Sequence, residues 1–386
     1  MEWKKNNANN RILYLVTIGG FFWAIGASLF FRIMPIYVSK LGGTSFHAGI
    51  ITSTLTITGL IALNLGGILS HYLSPRIIII TGWMFSSLAA LIYLNIPTIS
   101  GVLLGAILEG LAFIEMPPRV HVFSCLYPKN THKALYTFIG GLSLGFLIGP
   151  PIGGFMAQYI GYKSIFITYA ILAAIATIII GTAIPYIPPL KNNYTNRANY
   201  IHVTRKIIWP IVITGIIAIS SGSVNVVISL YLKDTLHIKE AFIGGLSALS
   251  PLASMTLPLI AHMGFNPVNI IKLMGIGLTI ASSIILTPSI FSAILFYFTS
   301  GWSGGLYSGA QSITLPFLEE FEKSIGTGII SSIVNLGIAI GAFIGGYLYK
   351  INPRLPFLTT ALLSIIVVFI PHNLLVPPPH DKQQVV

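Results

Sequence analysis

Arg32, Glu109, Glu115 and Arg119 are charged residues inside the long apolar runs of this sequence, and any chemistry is to be sought there first. An ionisable side chain in an apolar stretch long enough to meet lipid is costly, so each is a functional candidate. Arg32 stands about seven residues from the outer end of its run and Glu109 about nine from the outer end of another, on the order of 10–14 Å deep at the rise of a helix. Equal depth permits an Arg32–Glu109 pair, with the guanidinium as an anion hook and the carboxyl as a proton carrier. Glu115 and Arg119 are one helical turn apart and can close a local ion pair beside Pro117-Pro118, as structure or as part of an inner gate. His71 and His262 hold equivalent places at the ends of two runs. There an imidazole can cap a helix C-terminus or bias an opening with pH. Asn225, Tyr297, Trp302, Tyr307 and Gln311 add polar or aromatic groups without charge in the second half, and Trp23 and Phe30 add aromatic surface near Arg32. One charged pair amid aromatic surface suits an amphipathic or hydrophobic organic solute. Asn64 and Asn335 read as hydrogen-bond donors between helices.

The elements that carry these residues must be membrane helices. Charged residues make up 8% of the chain and hydrophobic ones 54%, with a mean hydropathy of +0.85. Such a chain has too few polar groups to face water over its whole surface. Runs of about 20 apolar residues predict twelve spans. They lie near 12–39, 46–70, 77–96, 99–123, 134–158, 164–186, 207–231, 241–262, 268–287, 289–316, 325–349 and 356–376. Thirteen Lys and Arg fall on the amino end, the even-numbered loops and the tail, against six on the other side. That excess puts both termini in the cytoplasm of a multi-pass plasma-membrane protein. The first run is too long for a signal peptide and is expected to stay as a span. The net charge of +12 does not gather on a basic face with interleaved aromatics, so no nucleic-acid partner is expected. The single cysteine, Cys125, excludes an internal disulfide and a cysteine-based metal site. There is no phosphate loop, no His-Glu-x-x-His and no Gly-x-Ser-x-Gly, so neither an enzyme nor a cofactor or metal is expected.

Two glycine stripes organise the chain. Gly141, Gly145, Gly149 and Gly153 recur every fourth residue in G-L-S-L-G-F-L-I-G-P-P-I-G-G, with Pro150 inside the run. On a helix this spacing draws a smooth line on which another backbone can pack closely. Gly337, Gly341 and Gly345 repeat the stripe 192 residues after Gly145, Gly149 and Gly153. Phe166 and Phe357 match at an offset of 191, as do His71 and His262. A nearly constant offset, about half the chain, predicts an internal duplication. It divides the sequence into a six-helix half at 1–186, a cytoplasmic linker at 187–206 and a second half at 207–386 ending in a polar tail.

Twelve spans in two parallel repeats with the stripe in span 5 resemble the major facilitator superfamily. Within the stripe, G-F-L-I-G-P-P-I-G-G at 145–154 is similar to the motif of its antiporter and exporter branches. A second signature, between spans 2 and 3, is kept at Gly67, Leu69 and Arg76, whereas the family's Asp falls on His71, its Arg on Tyr72 and its second Gly on Ser74. Those departures remove the carboxylate that helps latch the cytoplasmic side. The resemblance implies an all-α membrane protein of two pseudo-twofold-related bundles, working as a monomer by alternating access on a small-molecule substrate, in contact with lipid. The expected function is proton-coupled export of an amphipathic or drug-like compound. Its expected binding residues are Arg32, Glu109, Asn225, Tyr297, Trp302, Tyr307 and Gln311. The glycine stripes, Pro150, His71, Arg76, Glu115 and Arg119 serve movement, the stripes as slip surfaces between the halves, so that Gly149→Leu stops transport in an inserted protein. The alternatives are a uniporter or symporter taking up an organic anion or sugar, and a non-transporting sensor of the same fold.

Overall fold

The computed structural model describes residues 2–128, 130–189, 200–319 and 322–376, with the side chains of 2–9 and 324 left out. The chain is helical throughout these residues. Its helices are α1 (Glu2–Phe31), α2 (Met34–Lys40), α3 (Ser45–Leu69), α4 (Pro75–Asn95), α5 (Ile99–Leu111), α6 (Met116–Leu126), α7 (Thr131–Tyr159) and α8 (Tyr162–Ala183). After them come α9 (Tyr200–Lys206), α10 (Ile208–Leu236), α11 (Glu240–Ser247), α12 (Leu249–His262), α13 (Pro267–Ile284), α14 (Ile290–Gly301), α15 (Leu306–Thr314), α16 (Lys323–Ile351) and α17 (Leu355–Phe369). Among the described residues, ten helical stretches are long and apolar enough to cross a membrane.

Two of the twelve expected spans take another form. The run at 289–316 is interrupted: α14 passes through a 3-10 turn at Trp302–Gly305 before α15 resumes. The run at 356–376 shortens to α17, because Pro371 pushes Ile370 into an extended conformation (ψ 124°) and stops the helix. Between α13 and α14, at Thr287-Pro288, Ser289 caps the new helix, its hydroxyl accepting the Ser292 N–H at 3.0 Å. The central part of the expected linker (190–199) and the polar tail from 377 lie outside the described residues.

The described residues fall into two compact units, one within 1–193 together with 226–251, the other within 194–225 together with 252–386. The cut passes through α10 at Asn225–Val226 and through α12 at Pro251–Leu252, so the units are not the two halves of the sequence.

Each unit nevertheless repeats one packing. In the first, the α7 stripe lies on α1: a methyl group built on Gly145 would stand 2.7 Å from the Phe21 carbonyl, and methyls on Gly149 and Gly153 would overlap the carbonyls of Ile25 and Leu29 or atoms beside them. In the second, the α16 stripe lies on α10, with Gly337, Gly341 and Gly345 over the carbonyls of Gly215, Ile219 and Ser223. The two carbonyl trios are 194 residues apart at every position. A slip surface between the halves is therefore not where these stripes lie. They lock neighbouring helices inside one unit, and the Ser28 hydroxyl adds a reach of 3.3 Å to the Gly145 carbonyl. The basic residues near the start of α4 and α13 repeat as well. Arg76 donates to the Gly181 carbonyl at 2.8 Å, and Lys272 to the Ile370 carbonyl at 2.7 Å, each at the carboxyl end of a neighbouring helix where the dipole favours a cation.

Candidate functional site

Glu109, 1% exposed, is the most deeply buried carboxylate among the described residues of the first unit. Three other helices supply its surroundings: Trp23 from α1, Ser86 from α4 and Tyr169 from α8. The Tyr169 hydroxyl donates to Glu109 Oε2 at 2.5 Å, the Ser86 hydroxyl reaches both carboxylate oxygens at 2.9 Å, and Trp23 Nε1 donates to Ser86 Oγ at 2.7 Å. Every one of these donors points toward the carboxylate, directly or through Ser86. The Ser86 and Tyr169 hydroxyls also lie 2.7 Å apart and either can donate to the other, so the ring can donate to the ionised acid or accept a hydrogen bond from the protonated one. A buried acid whose partners can serve both protonation states has the chemistry of a proton switch. Replacing Tyr169 with Phe deletes a donor to a charged acceptor, so Tyr169→Phe is expected to lower stability by about 2 kcal/mol, read as a fall in the thermal midpoint of the purified protein.

Arg32 lies in the two-residue turn that separates α1 from α2. Pro35 in the first turn of α2 helps fix that break. The groups hydrogen-bonded to Glu109 are hydroxyls, which no spacing rule pointed to. Ser86 and Tyr169 were missed because a lone hydroxyl in an apolar helix carries no signal of its own.

Farther along the fourth span the helix changes pitch. Pro117 and Pro118 bring no N–H to answer the carbonyls of Phe113 and Ile114, and Ala112–Glu115 tightens into a 3-10 turn before α6 begins. Gly66 makes room for it: a methyl group there would collide with the Ile114 carbonyl. The same interruption recurs 190 residues later at Trp302–Gly305. In this turn Glu115 meets Arg119 as expected, Oε1 to Nη1 at 2.8 Å, both buried, with the guanidinium 4.1 Å from the centre of the Phe138 ring.

The remaining candidates are scattered. In the second unit Asn225 donates to Ser221, whose hydroxyl lies 3.0 Å from Ser303 in the 3-10 turn. Trp302 Nε1 reaches Thr256 at 3.2 Å. Tyr297 is buried and packs edge-on to Phe296, Tyr307 is exposed, and Gln311 is half-buried. His71 sits in the turn after α3, and His262 is the exposed last residue of α12. Asn64 and Asn335 each donate to a carbonyl four residues back on their own helix. Exposed Asn64 thus bonds within its own helix.

A polar seam that composition did not reveal joins α7 to the 226–251 segment within the first unit. A methyl on Gly154 would strike the Glu240 carbonyl, and Gln158 accepts the Ala241 N–H at 3.1 Å. Glu240 also pairs with Lys40 at 2.9 Å and Lys233 at 3.6 Å. Both lysines are partly exposed, so Lys40→Ala is expected to cost less than about 1 kcal/mol, measured as a small thermal shift that salt removes.

Outside the spans, Lys206 of α9 donates to both oxygens of Glu322 at 2.8 Å, and His202 approaches at 3.9 Å. Burial raises the proton affinity of Glu322, but Lys206 and the Glu319 backbone outweigh it and hold the carboxyl below its ordinary range. A lowered folded-state pKa gives stability that is present above the unfolded value of about 4.3 and is lost as pH falls through the folded one. Glu322→Gln is expected to lower the thermal midpoint at pH 7, by about 1 kcal/mol of stability, and to match wild type once pH is well below 4.

The sequence matches the family model described as Major Facilitator Superfamily over residues 16–262 and 210–385. It is 28% identical over 169 residues to the Uncharacterized MFS-type transporter MJ1560 of Methanocaldococcus jannaschii, covering 43% of this chain and 44% of that protein. Over 237 residues it is 22% identical to the Quinolone resistance protein NorA of Staphylococcus aureus, covering 59% of this chain and 60% of the relative. The matched stretch thus spans less than two thirds of either relative. A longer match, 24% over 351 residues, joins it to the Multi-drug resistance efflux pump PmrA of Streptococcus pneumoniae, with 87% of this chain and 81% of that one. Among solved structures, the nucleoside transporter NupG superposes with a TM-score of 0.75 at 12% identity, over 93% of this chain and 97% of that one. A POT family transporter in complex with a thioalcohol conjugated peptide superposes at 0.75 and 14%, over 93% and 95%. At such identities the likeness is one of fold.

Proposed function

Because the chain belongs to the major facilitator superfamily, we propose that this membrane transporter exports a small amphipathic compound in exchange for protons. The observation that carries the reading is Glu109 in its ring of hydroxyls, a buried acid whose partners can donate to its ionised form or accept from its protonated one. The drug-pump names of NorA and PmrA support export, and the aromatic surface beside the site suits an amphipathic solute. In this reading the halves 1–186 and 207–386 rock about the linker, both termini face the cytoplasm of the plasma membrane, and the monomer is the working unit. Arg32 in its helix break, Asn225, Trp302, Tyr307 and Gln311 face the solute at some stage of the cycle. The stripes keep each bundle rigid, and the Gly154 contact is the seam that parts.

Everted membrane vesicles from cells making the protein test the proposal, with ethidium as the probe. Ethidium is expected to accumulate when an inward-acid gradient is imposed and to leak away when a protonophore collapses it. Accumulation equal to that of vesicles lacking the protein, or indifferent to the gradient, defeats the reading.

A further inference from the structure

Ser86 has one hydrogen and two lone pairs to share among several polar neighbours. Trp23 Nε1 stands 2.7 Å from its Oγ, Tyr169 Oη 2.7 Å and the two oxygens of Glu109 2.9 Å each. An indole N–H can only donate, so Trp23 fills one lone pair whatever the other groups do. One hydrogen and one lone pair remain, and the state of Glu109 decides their use. Beside the ionised carboxylate, Ser86 and Tyr169 both donate to it and the second lone pair of Ser86 stays open. Once Glu109 carries a proton, its hydroxyl can fill that lone pair while Ser86 donates to Tyr169 and Tyr169 to the other carboxyl oxygen. The three groups then close a ring in which every hydroxyl hydrogen is used.

Both states require that Ser86 face the carboxyl. A serine inside a helix has a competing choice, the carbonyl three or four residues back on its own chain. Neighbours on α4 take it: Ser87 donates to the Trp83 carbonyl at 3.2 Å and Thr81 to the Ile77 carbonyl at 2.9 Å. Buried Ser86 instead reaches the carboxylate of α5. Trp23 opposes the turn toward the backbone, because a Ser86 rotated that way would leave the indole N–H without its acceptor. The indole is itself held in place, 5.6 Å from the Trp83 ring at 60° and edge-on to Phe146 of α7 at 6.0 Å.

We propose that Trp23 is the positioning residue of this proton site: its indole N–H holds the Ser86 hydroxyl toward Glu109, and through that bond helix α1 responds to the proton on the carboxyl. The inference rests on the reading of Glu109 as the proton carrier. A hydroxyl that donates to a charged acceptor is itself a better acceptor, so the Trp23–Ser86 bond is tighter beside ionised Glu109 than beside the protonated acid. The titratable side chains facing Glu109 are Tyr169 of α8 and Tyr93 of α4. Next to it, Gly110 meets α3 through the Leu55 carbonyl and Thr58.

The test uses the full-length protein in lipid nanodiscs, its five tryptophans labelled at the indole nitrogen, with the infrared carboxyl band that Glu109→Gln removes followed in parallel. The Trp23 signal is identified by its loss in Trp23→Phe, or by elimination through the other four Trp→Phe variants if that protein fails to accumulate. Its N–H proton is expected to move upfield, as a weakening bond requires, while the carboxyl band grows on acidification. In Ser86→Ala the band should still titrate and the indole should no longer follow it. A carboxyl band that grows while the wild-type indole stands still overturns the inference and leaves Glu109 as the carrier. An indole response that survives Ser86→Ala overturns it equally. No carboxyl band at any pH removes the carrier reading and this inference together.

Discussion

Glu109→Gln is expected to yield an inserted, folded protein in which ethidium accumulation no longer follows an imposed pH gradient and falls to the level of empty vesicles. Glutamine keeps the shape and one acceptor oxygen of the native side chain, so Tyr169 still has a group to which it can donate. Its amide nitrogen replaces the second oxygen with a donor, and Ser86, which reaches both carboxylate oxygens, must rotate to accept from it. That adjustment costs about 1–2 kcal/mol, small enough for the fold to survive. What the amide cannot do is take up and release a proton. Exchange of labelled for unlabelled probe at equal pH should continue, because it needs no net proton movement. Gradient-driven accumulation that persists in Glu109→Gln would show that Glu109 is not the carrier. Loss of exchange as well would show that its part is in binding or structure.

Gly153→Leu is expected to be the most damaging single change to the first unit. Even a methyl group at that position would overlap the Leu29 carbonyl, which belongs to backbone and cannot swing away. Helices α1 and α7 would have to separate along their line of contact. Overpacking of this kind costs about 3 kcal/mol, and here it also removes the approach that lets Ser28 reach the Gly145 carbonyl. Low yield and a lowered or absent thermal transition should follow, with Gly341→Leu doing the same to the second unit against Ile219. Gly149→Leu, whose first atom would already strike Ser28, belongs to the same class and is expected to unfold the packing rather than stall an intact protein. Gly140 is the control: on the same helix but with nothing within 4 Å, its replacement by Leu should change stability by less than about 0.5 kcal/mol. Equal behaviour of Gly140→Leu and Gly153→Leu would remove the packing explanation.

The class of this protein and its internal duplication are written in the sequence, because both follow from rules that act along the chain. Lipid demands runs of about 20 apolar residues whatever packs against them. A stripe of glycines marks close helix contact before its partner is known. The duplication survives as an offset near 192 between stripes, and as a constant 194 between the carbonyls they cover. Glu109 was conspicuous for a similar reason, since a carboxyl in an apolar run needs compensation from somewhere.

Where that compensation comes from was decided only in three dimensions. Ser86 is 23 residues from Glu109 and Tyr169 is 60, and Trp23 reaches Ser86 across 63. Each is an ordinary residue of its own helix, and only the rotation of four helices about their axes turns them to one point. The stripes show the same limit. Spacing disclosed a smooth face but not its neighbour, which is α1 or α10 inside a unit rather than the opposite half. Trp83 and Glu115 line one small cavity because Pro117 and Pro118 tighten the turn before them while Gly82 leaves a gap beside it. Periodicity along a chain fixes which residues share a face. Contact between faces depends on the fit of whole surfaces, and that is a property of the folded molecule.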